Sequence, residues 1–151
     1  MIQLSAFKIQ FENHEIASDC LKDIEKYTTI TNWKNNLNIN DNEITIGEDI
    51  VISWEEYKGV FEKIVKGLIS DNKVDFNAYS EFCSDEREIH EYAILFGSYY
   101  ERVSRYEEYE SDINETNLYF GKVINGKIIL DNVLITLSIE FFFRLFCFIN
   151  Y

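Results

Sequence analysis

Residues 85–92, DEREIHEY, contain the residue types that could bind a metal ion. His90 lies close in sequence to Glu86, Glu88 and Glu91, and imidazole and carboxylate groups are ligands that several divalent metals accept. If the segment is helical, Glu86 and His90 lie one turn apart on the same face, and no second matching pair of ligands occurs. We therefore expect a charged helix surface here, with no metal and no other cofactor.

A cysteine beside a histidine could act as a nucleophile, and Cys83 precedes His90 by seven residues. We expect Ser84 to begin a helix, which would leave Cys83 outside that helix. The sequence contains no GxxxxGK[ST], GxGxxG or GxSxG motif. Residues 41–52 and 71–82 look like calcium-binding loops, but each lacks a required position. We therefore expect no catalytic residues and no enzymatic activity.

The second candidate site is the acidic stretch SRYEEYESDINE, residues 104–115. Carboxylates accept paired hydrogen bonds from arginine, and tyrosine rings add contact area and cation–π attraction. The side chains that we expect to bind a partner are Tyr106, Glu107, Glu108, Tyr109, Glu110, Asp112 and Glu115. Because the helix dipole disfavours negative charge at a C-terminal helix end, we interpret the cluster as serving an external cationic group. A solvated helix end is the alternative interpretation.

The charge of the chain excludes several classes of partner. The 151 residues include 14 basic and 27 acidic side chains, and the net charge is −13. This charge opposes direct binding to nucleic acid or to an anionic membrane surface, and it suits a basic protein. Residues 81–115 contain 11 of the acidic residues and only three basic ones, so we expect a localised acidic surface.

Length and hydrophobic patterning favour a single α+β domain over residues 1–151. Apolar spacing predicts three helices, near residues 14–27, 54–69 and 85–109, packed on a mainly antiparallel sheet. A capping box formed by Ser53 and Glu56 would begin the second helix.

A C-terminal hairpin is expected from Asn125-Gly126, because both residues tolerate the positive φ of a type I′ turn. Alternation of apolar and polar residues then predicts a strand to about residue 141, and residues 142–151 remain open between strand and helix.

The three cysteines, Cys20, Cys83 and Cys147, are widely spaced and odd in number, which favours reduced thiols in the cytoplasm. The N-terminus lacks the features of a signal peptide. Residues 132–151 are apolar and long enough to span a membrane, but Glu140 and Arg144 would be costly at its centre, so we expect a buried core segment.

In length, acidity, abundance of Asn, Ile, Lys, Tyr and Glu, and the stretch SRYEEYESDINE, the chain resembles the small acidic immunity proteins of bacterial contact-dependent and other polymorphic toxin systems. The resemblance covers overall character and no motif, so no contact residue transfers. It implies a non-enzymatic inhibitor that neutralises a cognate toxin, often a nuclease, by covering its active-site surface. The alternatives are a nucleic-acid mimic that inhibits a restriction or CRISPR effector, an enzyme with an unrecognised site, and a subunit of an assembly.

Overall fold

The computed structural model of the chain describes residues 2–27, 37–46, 51–52, 60–72, 74–131 and 135–136. These residues form an α+β fold with ten strands and two helices. In chain order the elements are β1 (Ile2–Phe11), α1 (His14–Tyr27), β2 (Leu37–Asn40), β3 (Glu43–Ile46), β4 (Val51–Ile52), α2 (Val60–Asn72), β5 (Phe76–Cys83), β6 (Arg87–Phe96), β7 (Tyr99–Glu108), β8 (Ile113–Ile124), β9 (Lys127–Leu130) and β10 (Ile135–Thr136).

All the described strands belong to one antiparallel sheet, in the order β10-β8-β7-β6-β5-β1-β3-β2. The short strands β4 and β9 pair with β1 and β8, outside this order. Strands β5 to β8 are consecutive hairpins at the centre of the sheet, so neighbours in sequence are neighbours in space. This meander positions the candidate site.

The main core lies between one face of the sheet and the two helices. Along β5 the buried and half-buried residues alternate, as expected for a strand with one face toward a core. The ring of Phe7 in β1 meets the ring of Phe61 in α2 edge-on, with centroids 6.3 Å apart. Each fully buried large apolar side chain contributes about 1.5–3 kcal/mol. The buried helix residues of this cluster are Ala17, Cys20, Ile24, Phe61, Ile64, Val65, Leu68 and Ile69.

The first helix prediction is confirmed, since α1 spans His14–Tyr27. The side-chain oxygen of Asn13 accepts the backbone N–H of Ile16 at 3.0 Å, which satisfies one of the free donors at the helix start. The second predicted helix overlaps α2, which the structure describes from Val60 to Asn72. Ser53 and Glu56, the proposed capping box, lie outside the described residues.

The third predicted helix is wrong, because residues 85–109 form β6, a tight turn and β7. Five consecutive residues, 89–93, are buried, since the central strands bury side chains on both faces. A strand buried on both faces loses its alternation, and its apolar residues can then match a helical period by chance. The signal that indicates a hairpin is Gly97, whose φ of 62° suits the turn between the strands.

A further hairpin joins β8 to β9 at Asn125 and Gly126, whose φ angles are 52° and 75°. Of the strand predicted to about residue 141, the structure describes Ile135–Thr136, which pair with Leu118 and Asn117 of β8. The remainder, and residues 142–151, lie outside the described residues. Within the described parts of the chain, neither helix has the length and apolar character needed to cross a bilayer.

Candidate functional site

Two hairpin turns lie side by side at one end of the central sheet. The β5–β6 turn and the β7–β8 turn are joined by a backbone hydrogen bond of 3.0 Å from the N–H of Tyr109 to the carbonyl of Glu86. Residues 81–88 hold four acidic side chains and one basic side chain, and residues 105–115 hold five and one. We call these two segments together the acidic end.

All seven predicted partner-binding residues lie in the β7–β8 hairpin. Tyr106, Glu107 and Glu108 end β7, Glu115 pairs with Tyr106 from β8, and the remaining three lie in the turn at residues 109–112. The prediction that these residues lie at a helix C-terminus is therefore wrong, so the helix dipole gives no reason to expect an external cationic group here. The β7–β8 hairpin itself brings the acidic side chains together. Asp112, in the turn of this hairpin, adopts a left-handed conformation with a φ of 51°.

These seven side chains do not share one environment. Tyr106 packs against the core, and its hydroxyl donates to a carboxylate oxygen of Glu108. Glu107 accepts a 3.0 Å hydrogen bond from Nη2 of the nearly buried Arg105. The four remaining side chains, Tyr109, Glu110, Asp112 and Glu115, are exposed.

A histidine–carboxylate cluster lies at the acidic end, on the sheet face opposite the helices. Side chains alternate along a strand, so Glu88 and His90 of β6 share a face, and the β5–β6 register places Glu81 opposite His90. The atoms of Glu81, Glu88 and His90 that could bind a metal lie within 4.8 Å of one another. His90 is buried, and the two glutamates are half-buried, so one side of the cluster faces solvent.

Two tyrosine hydroxyls hold the carboxylates of this cluster. Tyr79 donates to Oε2 of Glu81 at 2.9 Å, and its hydroxyl lies 3.2 Å from Nδ1 of His90. Tyr109 donates to Oε2 of Glu88 at 2.6 Å. Nε2 of His90 contacts Oε1 of Glu88 and lies 4.0 Å from Oε1 of Glu81.

The hydrogen bonds also set the protonation of these groups. The hydroxyl of Tyr109, followed by the contact with His90, lowers the pKa of Glu88. The bond to Glu88 in turn raises the pKa of Tyr109 to about 12. Burial, followed by the charge of Glu81, raises the pKa of Tyr79. Near neutral pH, therefore, Glu88 is a carboxylate and both tyrosines are protonated donors.

The sequence interpretation had paired the wrong glutamate with His90. On a helix Glu86 would share the histidine's face, but in the structure Glu86 is exposed in the β5–β6 turn. In a strand the side-chain period is two, so Glu88 is the residue beside His90. The alternation Glu88, His90, Tyr92 was the available signal, and Glu81 could be found only from the strand register.

A buried carboxylate, Glu101, lies near the start of β7. It is 3% exposed, and its Oε2 accepts a 3.2 Å hydrogen bond from the hydroxyl of Tyr99. Among the described residues Oε1 has no hydrogen-bond partner, and burial raises the pKa of this carboxyl.

Two described surface clefts lie away from the acidic end. One, of about 440 Å³, is lined by residues that include Asn42, Asp75 and Phe96. Another, of about 560 Å³, lies between α2 and the β8–β9 hairpin. Neither contains a residue of the histidine–carboxylate cluster. Of the cysteines, Cys20 is a buried free thiol, and Cys147 lies outside the described residues.

Comparison of the chain with family models, with curated proteins and with solved structures finds no match. The fold and the site define the class as an α+β protein whose antiparallel meander has an acidic end.

Proposed function

We propose that this chain is a non-enzymatic inhibitor that binds a basic protein partner through its acidic end. The observation that supports the proposal is the pairing of two hairpin turns, which collects nine acidic and two arginine side chains from residues 81–88 and 105–115. The proposed partner is a cognate bacterial toxin, most simply a nuclease, and the proposed compartment is the cytoplasm.

The exposed side chains of the β7–β8 hairpin suit this role. A nuclease binds a phosphodiester through arginine and lysine, and carboxylates can take the place of phosphate by accepting the same hydrogen bonds. Glu110, Asp112 and Glu115 are exposed for such contacts. Tyr109 is 43% exposed and offers a ring edge that is already held by its bond to Glu88. Preorganised groups lose less freedom on binding, which favours affinity.

The distribution of charge favours this proposal over a nucleic-acid mimic. A mimic of a duplex needs negative charges spaced along an extended surface, whereas the acids of residues 81–115 concentrate at two adjacent turns. An enzyme with an unrecognised site, which would need polar groups converging on a cleft, remains the alternative.

The test uses the product of the neighbouring gene and any protein retained by the immobilised chain at low salt. The variant is Glu110→Lys, Asp112→Asn and Glu115→Lys combined, because asparagine tolerates the positive φ at position 112. The control reverses two exposed acids of α1 instead, as Glu15→Lys and Asp19→Lys.

We expect the turn variant to weaken binding by about 2–5 kcal/mol and to make the affinity depend less on salt concentration. The α1 variant should bind like the parent. If the parent and the turn variant bind with the same affinity and the same dependence on salt concentration, the acidic end is not part of the binding surface.

A further inference from the structure

Both carboxylates of the histidine–carboxylate cluster are oriented in the same way. Tyr79 holds Oε2 of Glu81 and Tyr109 holds Oε2 of Glu88, so each carboxylate turns its other oxygen, Oε1, toward Nε2 of His90. Such outer hydrogen bonds, which fix the orientation of ligand groups, are typical of metal sites.

The hydrogen bonding of His90 leaves one ring nitrogen, Nε2, to face the two carboxylates. Tyr79 has one hydroxyl proton and donates it to Glu81, so the contact between its oxygen and Nδ1 of His90 requires a proton on Nδ1. Nε2 then faces Oε1 of both carboxylates and carries either a proton, whose hydrogen bond to Glu88 lowers the pKa of that carboxyl, or a lone pair that can bind a metal ion. Without the proton, Nε2 of His90 and the two Oε1 atoms are all electron-rich, so they repel one another unless a positive charge lies between them.

Neighbouring charges leave the cluster negative. Arg105 lies opposite His90 on β7, and its Nη2 donates a 3.0 Å hydrogen bond to Glu107. The single positive charge of this arginine is therefore outnumbered by the three carboxylates of Glu81, Glu88 and Glu107. Cys83 faces Glu88 from β5 across the sheet register and is half-buried. A cation bound by the cluster would be stabilised by the surplus charge.

We propose that Glu81, Glu88 and His90 bind one divalent transition-metal ion, with Zn²⁺ as the reference ion. One imidazole nitrogen and two carboxylate oxygens are a ligand set that Zn²⁺ accepts, and three protein ligands leave a coordination position for water. Tyr79 and Tyr109 act as positioning residues for the ligands. This site departs from the expectation drawn from the sequence and is independent of the proposed partner.

The competing occupant of the same space is a proton on Nε2, which would let the imidazolium donate to Glu88. The two cases differ in whether the chain binds metal with one-to-one stoichiometry. The experiment is isothermal titration calorimetry of the chelator-treated full chain with ZnCl₂, followed by MnCl₂ and MgCl₂.

We expect saturable binding of one Zn²⁺ per chain and weaker binding of Mg²⁺. His90→Ala and Glu81→Gln should each lower the Zn²⁺ affinity at least about tenfold, and Tyr79→Phe should lower it about 10- to 100-fold through the loss of ligand orientation. Asp85→Asn is the matched control, since Asp85 is an exposed acid of the adjacent turn outside the cluster, and it should leave the affinity unchanged.

Absence of saturable Zn²⁺ binding by the parent chain would overturn the proposal and leave the proton as occupant. Zn²⁺ binding that survives His90→Ala and Glu81→Gln would overturn it as well. Because His90 is buried, circular dichroism must first show that each variant is folded. If His90→Ala unfolds the chain, Glu81→Gln tests the site instead, because Glu81 is only half-buried. No partner protein enters the titration, so its result is separate from that of the inhibitor proposal.

Discussion

The hydroxyl of Tyr109 donates a 2.6 Å hydrogen bond to Oε2 of Glu88, which joins the β7–β8 turn to β6. With the backbone bond from Tyr109 to Glu86, it makes the two turns of the acidic end one unit. Tyr109 thus has a structural role at a position where the sequence predicted a partner contact. The exposed part of its ring remains available for that contact.

Tyr109→Phe should lower the free energy of unfolding by about 0.5–1.5 kcal/mol near neutral pH, because it removes this hydrogen bond. The bond lowers the folded-state pKa of Glu88, so its contribution is present above the unfolded-state pKa and is lost as the pH falls through the folded-state pKa. Urea unfolding of parent and variant at neutral and acid pH measures the difference.

Glu88→Gln completes a double-mutant cycle with Tyr109→Phe, and NMR titration of the Glu88 carboxyl in Tyr109→Phe should show its pKa moving toward the ordinary value. An additive cycle with no shift of the Glu88 titration would contradict the assigned bond.

Glu107→Lys should destabilise the chain by about 1–3 kcal/mol, because it replaces the carboxylate that Arg105 contacts with a like charge. The arginine side chain is only 9% exposed, so water screens the repulsion poorly. Glu110→Lys, three residues farther on and exposed, should change stability by less than about 0.5 kcal/mol. Thermal unfolding of both variants checks this, and similar effects at the two positions would mean that Glu107 has no structural role.

Glu101→Gln should raise the free energy of unfolding at neutral pH by about 1–3 kcal/mol, since it removes a poorly paired buried charge. Burial raises the folded-state pKa of Glu101, so its contribution to stability is full below the unfolded-state pKa and is lost as the pH rises through the folded-state pKa. The advantage of the variant should therefore disappear in acid.

Urea unfolding across a pH series tests the Glu101 prediction, with the exposed Glu115→Gln as control. A constant difference between Glu101→Gln and the parent across the pH range would show that Glu101 does not titrate as its burial requires.

Gly121→Ala should destabilise the β8–β9 hairpin by about 1–3 kcal/mol through overpacking. An added Cβ would overlap the carbonyl oxygen of Ile129 and lie 2.9 Å from Cα of Leu130, and backbone atoms cannot move aside as a side chain can. Lys122→Ala, at the next and exposed position, should stay within about 0.5 kcal/mol of the parent. Guanidinium unfolding of the two variants makes the comparison, and equal stability would mean that β9 does not approach β8 so closely.

The sequence by itself determined the features that depend on neighbouring residues. The bounds of α1 were predictable because Asn13 caps the helix and Ile16, Cys20 and Ile24 recur on one face. The acidic stretch 104–115 was also visible, since its charges are adjacent in the chain.

Only the tertiary structure decided the features that depend on pairing between distant segments. Residues 85–109 are strands because both of their faces find partners, Ile89 and Ala93 in the main core and Tyr92 beside Val103 and Leu118 in a second cluster. Periodicity within one segment cannot report such two-sided burial.

The approach of Glu81 to His90 likewise depends on the β5–β6 register. A shift of this register by one residue would place Glu81 on the other face of the sheet, away from His90. Local rules set the charge of the acidic end, whereas strand pairing set which of its side chains meet.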